Sequence, residues 1–302
     1  MVKDNATTER RSWYILAATV FMTYSLMVMG TFVTSTGSGL ACPDWPLCYG
    51  SVSPPLRIAI WFEWGHRLLG GFTGIFILWS TYLVWKGYTG LPRRLTFAVL
   101  ALLAVAVLLG GVIVRIEAPL LTGFIHTLII SSHLIIATLV LICLVFTLRY
   151  VARSIEASGK GNFGFLFIAV YAQIVLGILV RYSGASLACA DFPLCNGALV
   201  PLFDNNAVIL QFIHRLGALF VFSTAFVMLY KSVRGKTDIP AVAFTFCLVL
   251  FQAAFGILIV LSGMYLPFII GHGAIGFFLL GWLAYRSMPA LFNSRRSSAM
   301  EA

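Results

Sequence analysis

Apolar residues in this chain neither alternate nor hold to one face of short helices. They come in long runs divided by short polar segments. Eight runs stand out, roughly 12–34, 60–85, 95–115, 122–148, 162–182, 207–230, 239–262 and 266–285. A helix that crosses a bilayer needs ~20 apolar residues, and each run is long enough. The alternating pattern of barrel strands is absent, and in lipid a helix satisfies its own backbone hydrogen bonds. The pattern predicts an all-α integral membrane protein with eight transmembrane helices. The first run is too long for a cleaved signal peptide and does not end in small residues. Asp4 and Glu9 near the start also argue against a mitochondrial presequence, which lacks acids, and point to a bacterial or archaeal cell membrane.

Composition agrees, with 60% hydrophobic and 10% charged residues, and the net charge of +10 acquires meaning from its placement. Lys3, Arg10 and Arg11 precede run 1; Lys86, Arg93 and Arg94 join runs 2 and 3; Arg149, Arg153 and Lys160 join runs 4 and 5. Lys231, Arg234 and Lys236 join runs 6 and 7, and Arg286, Arg295 and Arg296 follow run 8. These are fifteen of the twenty basic residues, all on one side if the helices alternate. The rest are Arg57, Arg115 and Arg181, with Arg67 and Arg215 at helix starts. Excess Lys and Arg marks the cytoplasmic side, so both termini are expected in the cytoplasm. The basic balance reports membrane topology and excludes a nucleic-acid partner.

The chain also repeats itself. Gly37-Ser38-Gly39-Leu40-Ala41-Cys42-Pro43-Asp44-Trp45-Pro46-Leu47-Cys48-Tyr49-Gly50 follows run 1, and Gly184-Ala185-Ser186-Leu187-Ala188-Cys189-Ala190-Asp191-Phe192-Pro193-Leu194-Cys195-Asn196-Gly197 follows run 5. The two segments align without a gap. We therefore expect two tandem four-helix bundles, 1–155 and 156–302. Each holds an even number of spans, so both have the same orientation. The cysteine pairs fall on the outer side, where disulfides persist. Their spacing is too long for a zinc knuckle without histidine neighbours. Cys42–Cys48 and Cys189–Cys195 are read as disulfides; whether Cys42–Cys48 is a structural staple or a redox-active pair stays open. Cys143 and Cys247 lie within runs and read as packing residues.

Five histidines, His66, His126, His133, His214 and His272, all lie at or within the runs. Ionisable groups at membrane depth are costly and mark function, though a lone one is as readily a core residue bonded across helices. Their distribution, on runs 2, 4, 6 and 8, suits haem held between imidazoles of facing helices. Paired ligands must share a depth. His66 lies 20 residues before Lys86, His214 17 before Lys231, His272 14 before Arg286 and His133 16 before Arg149, whereas His126 lies 23 before Arg149. At ~1.5 Å per residue, His126 would ride about 10 Å off its partners. The expected pairs are His66 with His133 and His214 with His272. Zinc fits less well, because Glu-x-x-His is not the His-Glu-x-x-His pattern.

Glu63 is the one acid inside any run. It precedes His66 by three residues and shares that residue's helix face; the matching residue before His214 is Gln211. A carboxylate can accept a proton or stabilise positive charge, and an amide can do neither. The plainer reading is a charge at a helix N-terminus, but Gln211 shows that the repeat manages without one. The two halves are therefore expected to differ in role.

At these residues the chain resembles the haem A synthase family, membrane enzymes that oxidise the C8 methyl of haem O to a formyl group. The resemblance covers all eight runs. It rests on Thr36-Gly37-Ser38-Gly39 before the first cysteine pair, Glu63-Trp64-Gly65-His66-Arg67, His133-Leu134-Ile135-Ile136-Ala137, His214-Arg215 and His272. It implies that His214 and His272 hold a haem b cofactor, that His66 and His133 receive haem O, and that Glu63 is catalytic. The two cysteine pairs match the cysteine-containing members; the stretch 115–132 with its extra His126 departs from the pattern and leaves the ligand of the fourth helix open. The implied chemistry removes electrons from the methyl carbon and adds water, twice, after which the gem-diol loses water. Implied partners are haem O, an electron acceptor that the sequence does not name, the haem O synthase (protohaem farnesyltransferase) upstream, membrane lipid and further copies of the chain. The principal alternative is a two-haem b-type electron-transfer cytochrome, which leaves the Glu63/Gln211 difference idle. A transporter built on tandem repeats is a second rival, and it predicts substrate flux without a Soret band.

Overall fold

The structure, a computed structural model, describes residues 2–116, 124–152 and 163–297, and the side chains of 9–115, 124–152 and 163–288. Eight long helices lie among them: α1 Val2–Ser35, α2 Ile58–Gly87, α3 Leu91–Ile116, α4 Phe124–Val151, α5 Phe163–Tyr182, α6 Asn206–Gly235, α7 Ile239–Leu261 and α8 Leu266–Ser297. All eight contain a stretch long and apolar enough to cross a membrane, and no strand occurs among the described residues. This is an all-α, multi-pass membrane protein. Several helices outrun their apolar runs. α1 continues through Arg10 and Arg11, and α6 reaches Gly235, because helical hydrogen bonding does not stop where hydropathy does. Arg153 and Lys160, and the expected boundary at 155/156, lie outside the described residues.

The chain divides into two compact units between residues 153 and 154. In the first, α1 packs on α2, α2 on α3, α3 on α4 and α4 back on α1; in the second, α5 to α8 close in the same cyclic order. The core of the first unit includes Leu16, Ile77, Val84, Val99, Val140 and Leu144. Polar contacts tie neighbouring helices where lipid offers no partner. Thr19 and Ser80 hydroxyls meet at 2.7 Å across α1 and α2, and the Trp282 indole donates to Thr245 Oγ1 at 2.8 Å across α7 and α8. Asp238, at the start of α7, pairs with Arg286 of α8. Outward positions such as Phe21, Phe72, Leu78, Leu219 and Phe251 are apolar and exposed, as lipid-facing positions should be. Cys143 packs against the core, but Cys247 is exposed on the bundle surface, so it is not the interior packing residue expected.

The two cysteine loops share one construction. Gly37 and Gly184 take left-handed φ values of 67° and 75°, which a glycine adopts at little cost, and turn the chain into short 3₁₀ segments at Ser38–Leu40 and Ala185–Leu187. Cys42 is bonded to Cys48 and Cys189 to Cys195. Asp44 accepts from the N–H groups of Tyr49 at 2.5 Å and Gly50 at 2.7 Å; Asp191 accepts from Asn196 at 2.6 Å and Gly197 at 2.8 Å. These bonds, that of Gly50 foremost for Asp44 and that of Gly197 for Asp191, hold both carboxyls below their usual range. The disulfides are buried, the first against Ile60 and Trp64 and the second against Val208 and Phe212. Thiol labelling of intact cells without reductant should therefore leave Cys42 and Cys48 unmodified, and ready labelling of both would exclude the bond in the membrane.

Candidate functional site

The second and third turns of α2 tie the first loop down. Arg67 donates from Nη1 to the carbonyls of Asp44 at 2.5 Å and Leu47 at 2.6 Å, and from Nη2 to that of Cys42 at 3.4 Å. It also pairs with Glu63 Oε1, one turn earlier. Glu63 is buried, and its Oε2 accepts the Cys42 N–H at 2.7 Å. In the second unit Arg215 donates in the same manner to Leu194 and Cys189, both at 2.7 Å. Gln211 reverses the polarity: its Nε2 donates to Ser186 O at 3.2 Å, and its buried Oε1 has no hydrogen-bond partner. The difference between the halves is thus a local one, an acceptor with two bonded oxygens against an amide with one bond.

Next to these residues, each unit brings its two expected histidines together. His66 and His133 lie close enough to interact electrostatically, as do His214 and His272. His126, two turns before His133 on α4, is half-buried and has contacts of its own.

The rings are set by the odd-numbered helices, which sequence reasoning passed over. His133 Nδ1 donates to Ala106 O on α3 at 2.9 Å, and His272 Nδ1 to Gln252 O on α7 at 3.0 Å. A ring nitrogen facing a carbonyl must carry the proton. In both, Nε2 is left as the nitrogen with a lone pair, and that of His272 accepts from Gln252 Nε2 at 3.1 Å. His66 Nδ1 is buried without a partner, and His214 Nδ1 meets Gln173 Nε2 of α5 at 2.9 Å. Every ring also lies over a glycine of the preceding helix. A Cβ added to Gly30, Gly110, Gly177 or Gly256 would come within 3.1, 3.5, 3.0 and 3.2 Å of Cε1 of His66, His133, His214 and His272. These glycines look unremarkable in apolar runs; spacing to a histidine on the next helix is the only signal, and it is legible only once the helices are paired. Gly177→Ala should cost ~1–3 kcal/mol through overpacking, whereas Gly110→Ala meets ordinary contact and should change the melting temperature little. Equal thermal shifts in the two variants would show that the close approach at Gly177 is not a packing constraint.

Each unit thus brings two imidazoles within electrostatic reach of one another, and only the first has a carboxylate three residues before the histidine of its second helix. The family described as cytochrome oxidase assembly protein matches residues 13–284. Among curated relatives, haem A synthases of Bacillus cereus (strains AH187 and 03BB102) and Bacillus anthracis (strain CDC 684 / NRRL 3495) are each 32% identical over 278 residues. The match covers 87% of this chain and 88% of each relative. The chain belongs to the haem A synthase family. Family membership spans both units, so the paired-histidine geometry and the cysteine loops all lie inside the matched region.

Proposed function

We propose that this chain is a haem A synthase, an oxidoreductase that converts the C8 methyl of haem O to a formyl group with oxygen taken from water. The observation that carries the reading is the pairing of imidazoles within each unit, in a chain whose relatives bear that name along most of their length. The residues fit haem. His133 keeps a lone pair on Nε2; that of His272 is met by the Gln252 side-chain amide at 3.1 Å, which a haem iron would displace, and the glycines beneath the rings let backbone approach without a side chain. His214 and His272 would hold a resident haem b, which supplies one-electron exchange when bound. His66 and His133 would receive haem O as substrate. The N-terminal unit then does the chemistry and the C-terminal unit is the cofactor site.

Glu63 is the residue of this chain assigned to the reaction. Held by Arg67 and the Cys42 N–H, its carboxylate would stabilise positive charge on the methyl carbon or take its proton. The positive-inside pattern supports a cell membrane location with cytoplasmic termini and the cysteine loops outside. On that topology the histidines sit nearer the outer surface. Incubating the purified protein with haem O and a chemical electron acceptor, which takes the four electrons removed from the methyl carbon, and chromatographing the extracted pigment tests the reading: haem A should accumulate, and a lack of any formyl product would reject it.

One observation favours the alternative, a two-haem electron-transfer cytochrome. Both oxygens of Glu63 already serve the loop, so the carboxylate has a structural use without any reaction. That alternative predicts two permanently bound, spectrally similar haems and no product.

A further inference from the structure

A second difference between the units lies beside the histidines of α4 and α8. Gly110 and Gly256 underlie His133 and His272, and the carbonyls of Ala106 and Gln252 take the Nδ1 protons of the same two rings. Both relations align α3 with α7 and put Gln252 where the first unit has Ala106. Aligning His133 with His272 likewise puts Gly276 where the first unit has Ala137. The two exchanges belong together. A Cβ on Gly276 would come within 3.0 Å of Gln252 Nε2, so the glycine leaves room for the amide. The first unit has two alanines at these positions, and neither side chain carries a polar group.

The amide meets the ligating nitrogen itself. Gln252 Nε2 donates to His272 Nε2 at 3.1 Å, and Gln252 Oε1 is buried with no hydrogen-bond partner. An iron bound to His272 takes that lone pair and frees the amide N–H as well. The second site then has both ends of an amide beside its macrocycle, where the first has methyl groups. We propose that Gln252, given room by Gly276, is the specificity-determining residue by which the second site takes haem b and refuses haem O. The inference rests on the reading of His214 and His272 as the haem b site and of His66 and His133 as the haem O site. Haem O carries a farnesyl chain that haem b lacks. An isoprenoid laid against the amide denies it water and offers no hydrogen bond, and a polar group buried unpaired is costly. The same chain against Ala106 and Ala137 meets only apolar surface. Such an uncompensated group set against the wrong ligand shifts the preference between the two haems by ~10–100-fold.

The test reads which haem the second pair holds. The full chain carries His66→Ala, so that the second pair alone keeps pigment, and is produced in cells that make both haem b and haem O. Haem is extracted from the purified protein and the two species are separated by chromatography. Three forms are compared: the parent, Gln252→Leu, which keeps much of the bulk without the polarity, and Gln252→Ala with Gly276→Ala, which copies the first unit. The parent should hold haem b with little haem O. Both variants should raise the ratio of haem O to haem b by ~10–100-fold. An unchanged ratio in both overturns the assignment, and so does a rise in the alanine form alone, which makes the exclusion one of size. If neither variant retains haem, the reciprocal change decides. Ala106→Gln with Ala137→Gly, in the otherwise unaltered chain, should weaken binding of added haem O by ~10–100-fold in an absorbance titration; unaltered binding overturns the proposal. Failure of the underlying reading looks different. A parent that holds no haem, or holds haem O as readily as haem b, shows that the second pair is not a haem b site; a parent that holds haem b beside variants that do the same removes only the role of Gln252.

Discussion

Glu63→Gln should lower conversion of haem O by ~10²–10⁴, the scale of a positioned acid or base, while the protein still folds, inserts and keeps its haem. The second unit explains why the fold should tolerate the change. Gln211 stands at the matching position, and Arg215 beside it holds the loop through two carbonyls alone. In the variant, Arg67 keeps its bonds to Asp44, Leu47 and Cys42, and the new amide oxygen can still accept the Cys42 N–H. If Glu63 serves only as a charge near a helix start, the loss is ~0.3–1 kcal/mol of local stability and turnover hardly moves. Turnover by purified Glu63→Gln at matched haem content separates the two, and haem A formation near the wild-type rate would remove the carboxylate from the chemistry.

His214→Ala or His272→Ala should abolish stable haem binding, whereas His66→Ala should leave most of the haem in place. Both rings of the second pair are anchored at Nδ1, by Gln173 and by the Gln252 carbonyl, and removing either leaves iron with one protein ligand. His66 belongs to the proposed substrate pair, whose occupant exchanges. Haem content per chain by pyridine haemochrome, measured on all three variants with matched protein recovery, is the readout. Equal loss in all three would end the division of labour between the units, though not the membership of the family.

Much of this was legible in the linear sequence, and for definite reasons. Lipid offers backbone groups no partner, so the eight spans announce themselves as long apolar runs, and each run falls on one observed helix apart from one or two end residues. The cysteine loops could be matched because their turns depend on particular residues: left-handed glycines at 37 and 184, and aspartates 44 and 191 that cap the following N–H groups. The expected level of each histidine came from counting to the next basic residue, since rise per residue is constant in a helix.

What the sequence could not contain was the partner of each side chain on a neighbouring helix. Periodicity says which face a residue occupies on its own helix; it says nothing about what stands opposite. The tertiary structure alone decided that Glu63 spends both oxygens on Cys42 and Arg67, that Ala106 and Gln252 carbonyls fix two of the rings, and that Gly30, Gly110, Gly177 and Gly256 floor them. It also turned Gln173, one polar residue in an apolar run, into a partner of His214. Helix content was local and could be read from hydropathy. The chemistry of the imidazoles is set by contacts 20 to 41 residues apart in sequence, and only packing brings those residues within hydrogen-bond reach.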